Sequence, residues 1–354
     1  MHMWAEEGAT FLDSVGILGT GSYLPEQEVS NDEIAERVPG ADAEWISRKT
    51  LIEARRFAAP TEATSDLAAK AATAALEQAR LSADRVDYLI VSTSTGDSPQ
   101  PPTSALVQEM IGARRAACFD INVVCSGFVF GLALARSLVV TDPGAVVLVV
   151  AADTYSRILD FDDRRTSVLF GDGAGAAVVG AVPAPFGVLD VELVTRGDAH
   201  RLIRVEAGGS RLPASAETVA NGGHWFRMDG RGVRDFVMDG VPPILADLIK
   251  RAGLTAEDVD HFVPHQPNGV MLGELVEACG LSGANTVRTL ERFGNAGSAS
   301  VPIGLDEANR AGQLRDGDLV LLAGFGGGMN VGATLLRWWA GYGVRRDRRG
   351  PQED

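Results

Sequence analysis

The sequence predicts an α/β protein built twice over, and two observations carry that reading. Apolar runs with the look of covered strands alternate with helical stretches, as at residues 86–93 and 145–151, which indicates a mainly parallel sheet with helices on its faces. The second half of the chain then repeats the first. Sliding the sequence by 173 residues sets Leu81-Ser-Ala-Asp-Arg-Val-Asp87 on Leu254-Thr-Ala-Glu-Asp-Val-Asp260 without a gap. The same offset pairs Gly131-Leu132 with Gly304-Leu305, Ala135 with Ala308, and Gly144-Ala-Val-Val-Leu148 with Gly317-Asp-Leu-Val-Leu321. Chance does not hold register over that distance, so two similar halves packed around a pseudo-twofold axis are expected. The break at Pro183-Ala-Pro185 divides them into residues 14–184 and 185–340. The ends, 1–13 and 341–354, are expected to be flexible.

In chain order, residues 15–22 read as a first strand ending in glycines, and residues 31–38 as a short helix entered from a capping-type Ser30 or Asn31. Trp45 follows in a loop flanked by Arg48 and Lys49; its chemistry alone suggests a partly buried anchor. Residues 65–80 form an alanine-rich helix, 86–93 a strand, 103–111 a helix and 117–123 a strand. The long apolar helix 127–140 and the strand 145–151 complete the first unit. The glycines of Phe170-Gly-Asp-Gly-Ala-Gly-Ala176 resemble a dinucleotide fingerprint, but Ala-Ala-Val-Val-Gly180 continues as a strand and not as the helix such a site needs.

Composition narrows the function. A chain of 354 residues with 45% hydrophobic and 6% aromatic content can bury a large core. The net charge of −15, with no dense basic run, argues against nucleic-acid binding. No run reaches the roughly 18 apolar residues of a membrane span, and Met1 to Thr10 lacks the apolar core of a signal peptide. Cys118, Cys125 and Cys279 form neither a disulfide framework nor a metal motif, and His200, His224 and His261 have no ligand-like spacing. A reducing, cytoplasmic setting without a metal site is expected.

Taken alone, Cys125 is a small core hydrophobe. The repeat gives it a context. Under the 173-residue offset it falls opposite Ser298, inside Phe293-Gly-Asn295-Ala-Gly-Ser-Ala-Ser300. The strand that ends at Ser92 in one half ends at His265 in the other, and functional groups in open α/β sheets collect beyond the carboxyl ends of strands. Cys125, His265 and Asn295 are thereby placed at loop-to-helix junctions that a twofold arrangement can bring together. At the start of a helix the dipole and unpaired N–H groups favour a thiolate. A thiolate beside a histidine suggests acyl transfer through a thioester. No evident acid orients the histidine, and Asn295 adds a second donor. Two neutral donors aimed at one spot suit an enolate or oxyanion. The glycines of Gly324-Phe-Gly-Gly-Gly328 can present a backbone N–H to an acyl carbonyl held on Cys125.

At this point the sequence resembles the ketoacyl-acyl carrier protein synthase III branch of the thiolase-like condensing enzymes. The resemblance runs over residues 14–338 and rests on Gly21-Ser-Tyr-Leu-Pro25, Glu44-Trp-Ile46, the 170–176 run, Pro264-His-Gln-Pro-Asn268, Gly294-Asn295, Ala299-Ser-Val-Pro302 and Phe325-Gly-Gly-Gly328. It implies a five-layered αβαβα thiolase fold, a homodimer and no cofactor, with acyl-coenzyme A as substrate. It also implies a two-step decarboxylative Claisen condensation. An acyl group passes from coenzyme A to Cys125, then a malonyl-type thioester, on an acyl carrier protein or similar, loses carbon dioxide and attacks it. By position, His265 and Asn295 would hold the enolate, the N–H groups of Cys125 and Gly327 would form the oxyanion hole, and Phe325 would lie beside the cysteine. Trp45 and Arg164 would sandwich the adenine of coenzyme A, and Gly230 and Asn268 would contact its pantetheine arm.

Three places depart from the family pattern. The segment after the histidine motif reads Gly269-Val-Met-Leu-Gly-Glu274-Leu-Val-Glu277, acidic where relatives carry the bases that grip an acidic carrier protein. Docking would have to use Arg231, Arg234, Lys250 and Arg251, or the second substrate is not carried by that protein. Gln100 stands where relatives place a large apolar residue of the loop that enters the partner's acyl pocket, which suggests an unusual acyl group. Lys49 and Leu51 replace a common arginine and glycine near the coenzyme A site. Two other readings remain open: an acyltransferase that moves the Cys125 acyl group to an alcohol, amine or carrier thiol, and a non-catalytic partner subunit.

Overall fold

The computed structural model describes residues 14–341; the expectation of flexible ends falls, except for Gly341, outside the described residues. The first sheet contains β1 (Ser14–Tyr23), β2 (Tyr88–Ser92), β3 (Ala117–Ile121), β4 (Val147–Asp153) and β5 (Gly173–Val182), in the spatial order β1-β5-β4-β2-β3. The second contains β6 (Gly187–Thr195), β7 (His261–Pro264), β8 (Asn285–Thr286), β9 (Leu319–Gly326) and β10 (Asn330–Arg337), in the order β6-β10-β9-β7-β8. The two topologies are identical.

Six helices matter for the site: α1 (Thr64–Ala79), α2 (Thr103–Ile111), α3 (Gly127–Thr141), α4 (Gly230–Arg251), α5 (Gly269–Ala278) and α6 (Ser300–Arg310). The apolar clusters sort them into layers. Alternation along β4 sends Val147, Val149 and Ala151 into a central core with Leu132 and Val139 of α3, Val301 and Leu305 of α6, and Val320 and Leu322 of β9. The alternate residues Leu148, Val150 and Ala152 face Leu67, Ala71 and Ala75 of α1. The outer face of the second sheet packs Leu321, Ala323 and Val331 against Val237, Val241 and Leu275 of α4 and α5. The order is therefore helices, sheet, α3 with α6, sheet, helices, the five layers of a thiolase fold. Each fully buried Val or Leu in these layers contributes about 1.5–3 kcal/mol of transfer free energy.

The sheets are less parallel than alternation alone suggests. β2, β3 and β4 run parallel, as do β7, β8 and β9, whereas β1, β5, β6 and β10 pair antiparallel. The cause lies in the connections. A parallel neighbour needs a crossover back to the starting end, but residues 154–172 stay at the carboxyl end of β4, and residues 327–329 turn tightly at the end of β9. The chain re-enters each sheet from the end it has just left.

The stretch Val124–Thr141 is long and apolar enough to cross a membrane by length and composition. Here it lies in the central layer, where Phe128, Val129, Leu132 and Ala135 are buried between the sheets.

Candidate active site

The repeat places two short turns face to face at the centre. Val124–Ser126 leads into α3, and Gly297–Ala299 leads into α6 at the same offset of 173 residues. Val124 adopts φ +47°, a left-handed conformation that a β-branched residue takes only under strain of order 1–3 kcal/mol. That kink presents Cys125 at the head of α3. Gly127 must lack a side chain, because a Cβ there would sit 1.7 Å from the Ser92 hydroxyl. Gly324 and Gly326 let β9 pass directly over the turn: a Cβ at Gly326 would lie 2.9 Å from the Cys125 sulfur.

Cys125 is buried, and the thiolate expected from its helix position is not the resting form. Desolvation, reinforced by the buried carboxylate of Asp153, pushes its pKa up to about 12. The backbone amides of Cys125 and Gly327 act at the sulfur and pull the other way. Loss of hydration outweighs them, as it does for buried charges generally.

His265 follows β7 and is held by its own N–H, which donates to the Ala323 carbonyl at 2.7 Å. Its ring packs edge-on against Phe325, with centroids 5.4 Å apart. Burial lowers its pKa to about 3, and the Gly297 backbone offsets only part of that cost. Nδ1 makes no hydrogen bond of ordinary geometry, and among the described residues no carboxylate is bonded to the ring. The imidazole is therefore neutral.

Asn295 is positioned from both sides of its backbone. Its N–H donates to Leu169 O at 2.8 Å and its carbonyl accepts from Gly171 N at 3.0 Å, a bridge between the two halves. Its Oδ1 accepts from Gly297 N at 3.0 Å, which leaves the amide Nδ2 as a donor. Gly297 has φ +58°, and a Cβ there would come within 2.6 Å of Asp153 Oδ2. Asp153 was not singled out from the sequence. It is fully buried and accepts six hydrogen bonds, from Thr93, Ser94, Thr95 and Ser298, at 2.7–3.3 Å. A charged residue at the end of an otherwise apolar strand was the available signal.

A cavity of about 380 Å³ runs from the surface to Asn295, between Trp45 and Thr50 on one side and Gly230, Val233, Asn268 and Met271 on the other. Trp45 sits on a helix, Ala43–Thr50, capped by Asp42, and Arg164 lies over its ring with the guanidinium carbon 5.3 Å from the centroid. A nucleobase between them requires Arg164 to swing out, which its exposed position allows. Asn268 caps α5 through bonds to Val270 N and Met271 N, and its Nδ2 donates to Lys49 O at 3.0 Å. The side chain thus ties the two walls together. A Cβ at Gly230 would meet nothing within 4 Å. Gln100 is exposed in the loop before α2 and does not line this cavity. Arg165, Val168, Leu169 and Met228 line it without having been read from the sequence.

A buried cysteine, a neutral histidine and an asparagine that lines a cavity open to the surface, on a duplicated five-layered fold, define an acyltransferase of the ketosynthase type. Family models for 3-oxoacyl-[acyl-carrier-protein] synthase III match residues 119–197, and its C-terminal part matches residues 249–338. The chain is 50% identical over 324 residues to an acetoacetyl CoA synthase, NphT7, of Streptomyces sp. strain CL190, covering 91% of this chain and 98% of that protein. It is 43% identical to the beta-ketoacyl-[acyl-carrier-protein] synthase III of Caldanaerobacter subterraneus subsp. tengcongensis, with coverage of 92% and 98%. Among solved structures, the priming beta-ketosynthase of a polyketide biosynthetic pathway superposes with a TM-score of 0.85 at 33% identity, covering 94% of this chain and 98% of that one. The chain belongs to the 3-oxoacyl-[acyl-carrier-protein] synthase III family.

Proposed function

We propose that the protein condenses an acyl group, received from acyl-coenzyme A, with a malonyl-type thioester. Cys125 attacks the acyl thioester; the thiol proton leaves with the departing coenzyme A. The malonyl substrate then enters with its thioester carbonyl against His265 Nε2–H and Asn295 Nδ2–H. Its C–CO2 bond breaks, carbon dioxide departs, and both donors hold the enolate oxygen. The enolate carbon attacks the acyl carbonyl, whose oxyanion sits between the N–H groups of Cys125 and Gly327. Collapse breaks the bond from the acyl carbon to sulfur and releases a 3-oxoacyl thioester, and the expelled Cys125 thiolate takes a proton from water to return to the thiol.

The observation that carries this reading is the state of His265. A ring with a pKa near 3 and no carboxylate behind it is a poor general base and a good neutral donor. Plain acyl transfer needs a base more than two donors, and a non-catalytic subunit needs neither. Trp45 and Arg164 would take the adenine, and Gly230 and Asn268 would border the pantetheine arm.

A homodimer fits the edge of the first sheet. Among the described residues β3 pairs only with β2, and exposed Phe119 of β3 and Met110 of the adjoining α2 lie at that edge. Asp120 of β3 accepts from the N–H groups of Thr103 and Ser104 at 2.7 Å, fixing the start of α2 there. The Gln100 loop immediately precedes α2, so it stands where it could reach a partner's acyl pocket. The two halves join at the Pro183–Pro185 break, and unpaired Cys118, Cys125 and Cys279 suit a cytoplasmic setting.

Incubation with a panel of acyl-coenzyme A thioesters should leave an acyl adduct on Cys125, detected by peptide mass spectrometry. Subsequent malonyl thioester should discharge it with release of carbon dioxide. No adduct with any member of the panel contradicts the proposal.

A further inference from the structure

We infer that Asn330 is a positioning residue of the oxyanion hole: its side-chain amide fixes the Gly327 peptide, so that the N–H facing Cys125 is aimed before any acyl group arrives. This deepens the condensation reading above and rests on Gly327 as the oxyanion donor in it.

Asn330 opens β10 and closes the hairpin from β9, in register with Gly326. The turn between them, Gly327-Gly328-Met329, has to present a backbone N–H to the sulfur, yet it begins with two glycines, the residue whose backbone is least constrained. Both ends of the turn are anchored. Gly326 lies in the ladder, and Met329 is held by Arg196, whose N–H donates to Met329 O at 2.7 Å and whose carbonyl accepts from Met329 N at 3.1 Å. Between these anchors the Gly327–Gly328 peptide is held by a side chain: Asn330 Nδ2 donates to Gly327 O at 2.6 Å. A carbonyl can only accept, so the amide nitrogen faces it and Oδ1 faces away, where it accepts from the Thr195 hydroxyl at 2.6 Å. Thr195 of β6 thereby fixes which way round the amide sits.

The same residue reaches the nucleophile. Its backbone carbonyl accepts from Ser126 Oγ at 3.2 Å, next in the chain to Cys125. A Cβ at Gly327 would stand 3.1 Å from Val124 Cγ2, on the other side of the cysteine, and one at Gly328, where φ is +128°, would collide with the Asn330 amide. Asn330 is buried and does not line the cavity that reaches Asn295, so it acts through Gly327 and not on a substrate. A donor aimed in advance needs no reorganisation when charge develops; a glycine turn released from the amide has to be re-aimed in every turnover. Two steps use that donor. Acyl transfer to Cys125 and the enolate's attack both build charge on the acyl oxygen, whereas cleavage of the C–CO2 bond builds it on the malonyl thioester oxygen, held by His265 and Asn295. An enolate formed beside a poorly polarised acyl carbonyl takes a proton from water and leaves as the acetyl thioester.

The test compares the full-length protein with its N330A, T195V and T195S variants. Acylation is followed with the acyl-coenzyme A that loads wild type fastest. Fully loaded protein is then given malonyl-coenzyme A, or a malonyl-loaded carrier protein where wild type prefers it, and carbon dioxide and 3-oxoacyl thioester are counted in the same sample. In N330A the maximal acylation rate should fall about 10–100-fold, less than for outright loss of an oxyanion donor, with the half-saturating acyl-coenzyme A concentration within about twofold of wild type. Carbon dioxide release should stay within about threefold, and the ratio of carbon dioxide to 3-oxoacyl thioester should rise at least about threefold. T195V should show the same pattern at about threefold in acylation, the scale of one neutral hydrogen bond, and T195S should match wild type. Acylation of N330A at the wild-type rate, or equal losses in acylation and carbon dioxide release with an unchanged product ratio, would overturn the inference and leave the condensation reading intact. So would T195V and T195S that behave alike, the comparison that decides if N330A does not fold. A wild type that forms no adduct would overturn the condensation reading itself.

Discussion

Asp153 Oδ2 accepts hydrogen bonds from the Oγ and N of Ser298, at 2.7 and 2.9 Å, and so fastens the end of β4 to the turn that follows Asn295. The other oxygen gathers Thr93, Ser94 and Thr95 from the loop after β2. One buried carboxylate therefore couples the half that supplies Cys125 to the half that supplies the donors. Burial raises its own pKa, and its charge is the second cause, after desolvation, of the high pKa of Cys125.

Replacing it should separate those effects. Asp153→Asn removes the negative charge and should move the pH dependence of iodoacetamide alkylation at Cys125 to lower pH. The new amide faces the Ser298 N–H with a donor, so stability should fall by about 1–3 kcal/mol, and decarboxylation should slow more than acylation. An unchanged alkylation profile would remove Asp153 from any electrostatic role at the thiol.

The neutrality of His265 has a pH signature. Its folded pKa, about 3, lies below the ordinary 6.5, so between those values the unfolded chain binds a proton that the native state refuses. Stability conferred by the neutral ring is present above pH 6.5 and is lost as pH falls, by up to about 1.4 kcal/mol per unit. Asp153 and Asp172, whose pKa values burial raises, contribute in the opposite direction. They are common to wild type and H265Q, so the difference in urea-unfolding free energy between the two isolates the histidine. That difference should change steadily between pH 7 and pH 5; a flat difference would mean that His265 titrates normally.

Close approach of β9 makes Gly326 intolerant. Gly326→Ala places a methyl carbon 2.7 Å from Cys125 Cβ and 2.9 Å from its sulfur, below any ordinary contact. The sulfur or the strand must shift, and a displacement near 1 Å costs about a hundredfold in rate. Acyl-adduct formation should fall by at least that factor while the protein remains folded by circular dichroism. Normal acylation of the variant would contradict the packing described.

Much of this was legible in the chain. The 173-residue repeat carries through to structure residue by residue: β2 and β7 begin at Tyr88 and His261, and α3 and α6 at Gly127 and Ser300. Periodicity reports local pattern, however, and the antiparallel β5 and β10 follow from where loops return, which no local pattern encodes. The same limit applies at the site. Cys125, His265 and Asn295 are marked by motif and register, but the protonation of Cys125 depends on burial and on Asp153, which reaches the sulfur's surroundings only through the fold. Arg165 differs again. Its neighbour Arg164 is indicated by resemblance, whereas Arg165 comes to notice only through the fold, which sets it on the border of two cavities.

The central claim is that Asn295 acts on the enolate and not on the acyl group. Its most direct test is Asn295→Ala, with acyl-adduct formation on Cys125 and carbon dioxide release from a malonyl thioester measured on the same preparation. Acylation should stay within about twofold of wild type, and decarboxylation should fall by roughly 10²–10³, the usual cost of losing one oxyanion donor. Equal loss of both steps, or retention of both, would contradict it.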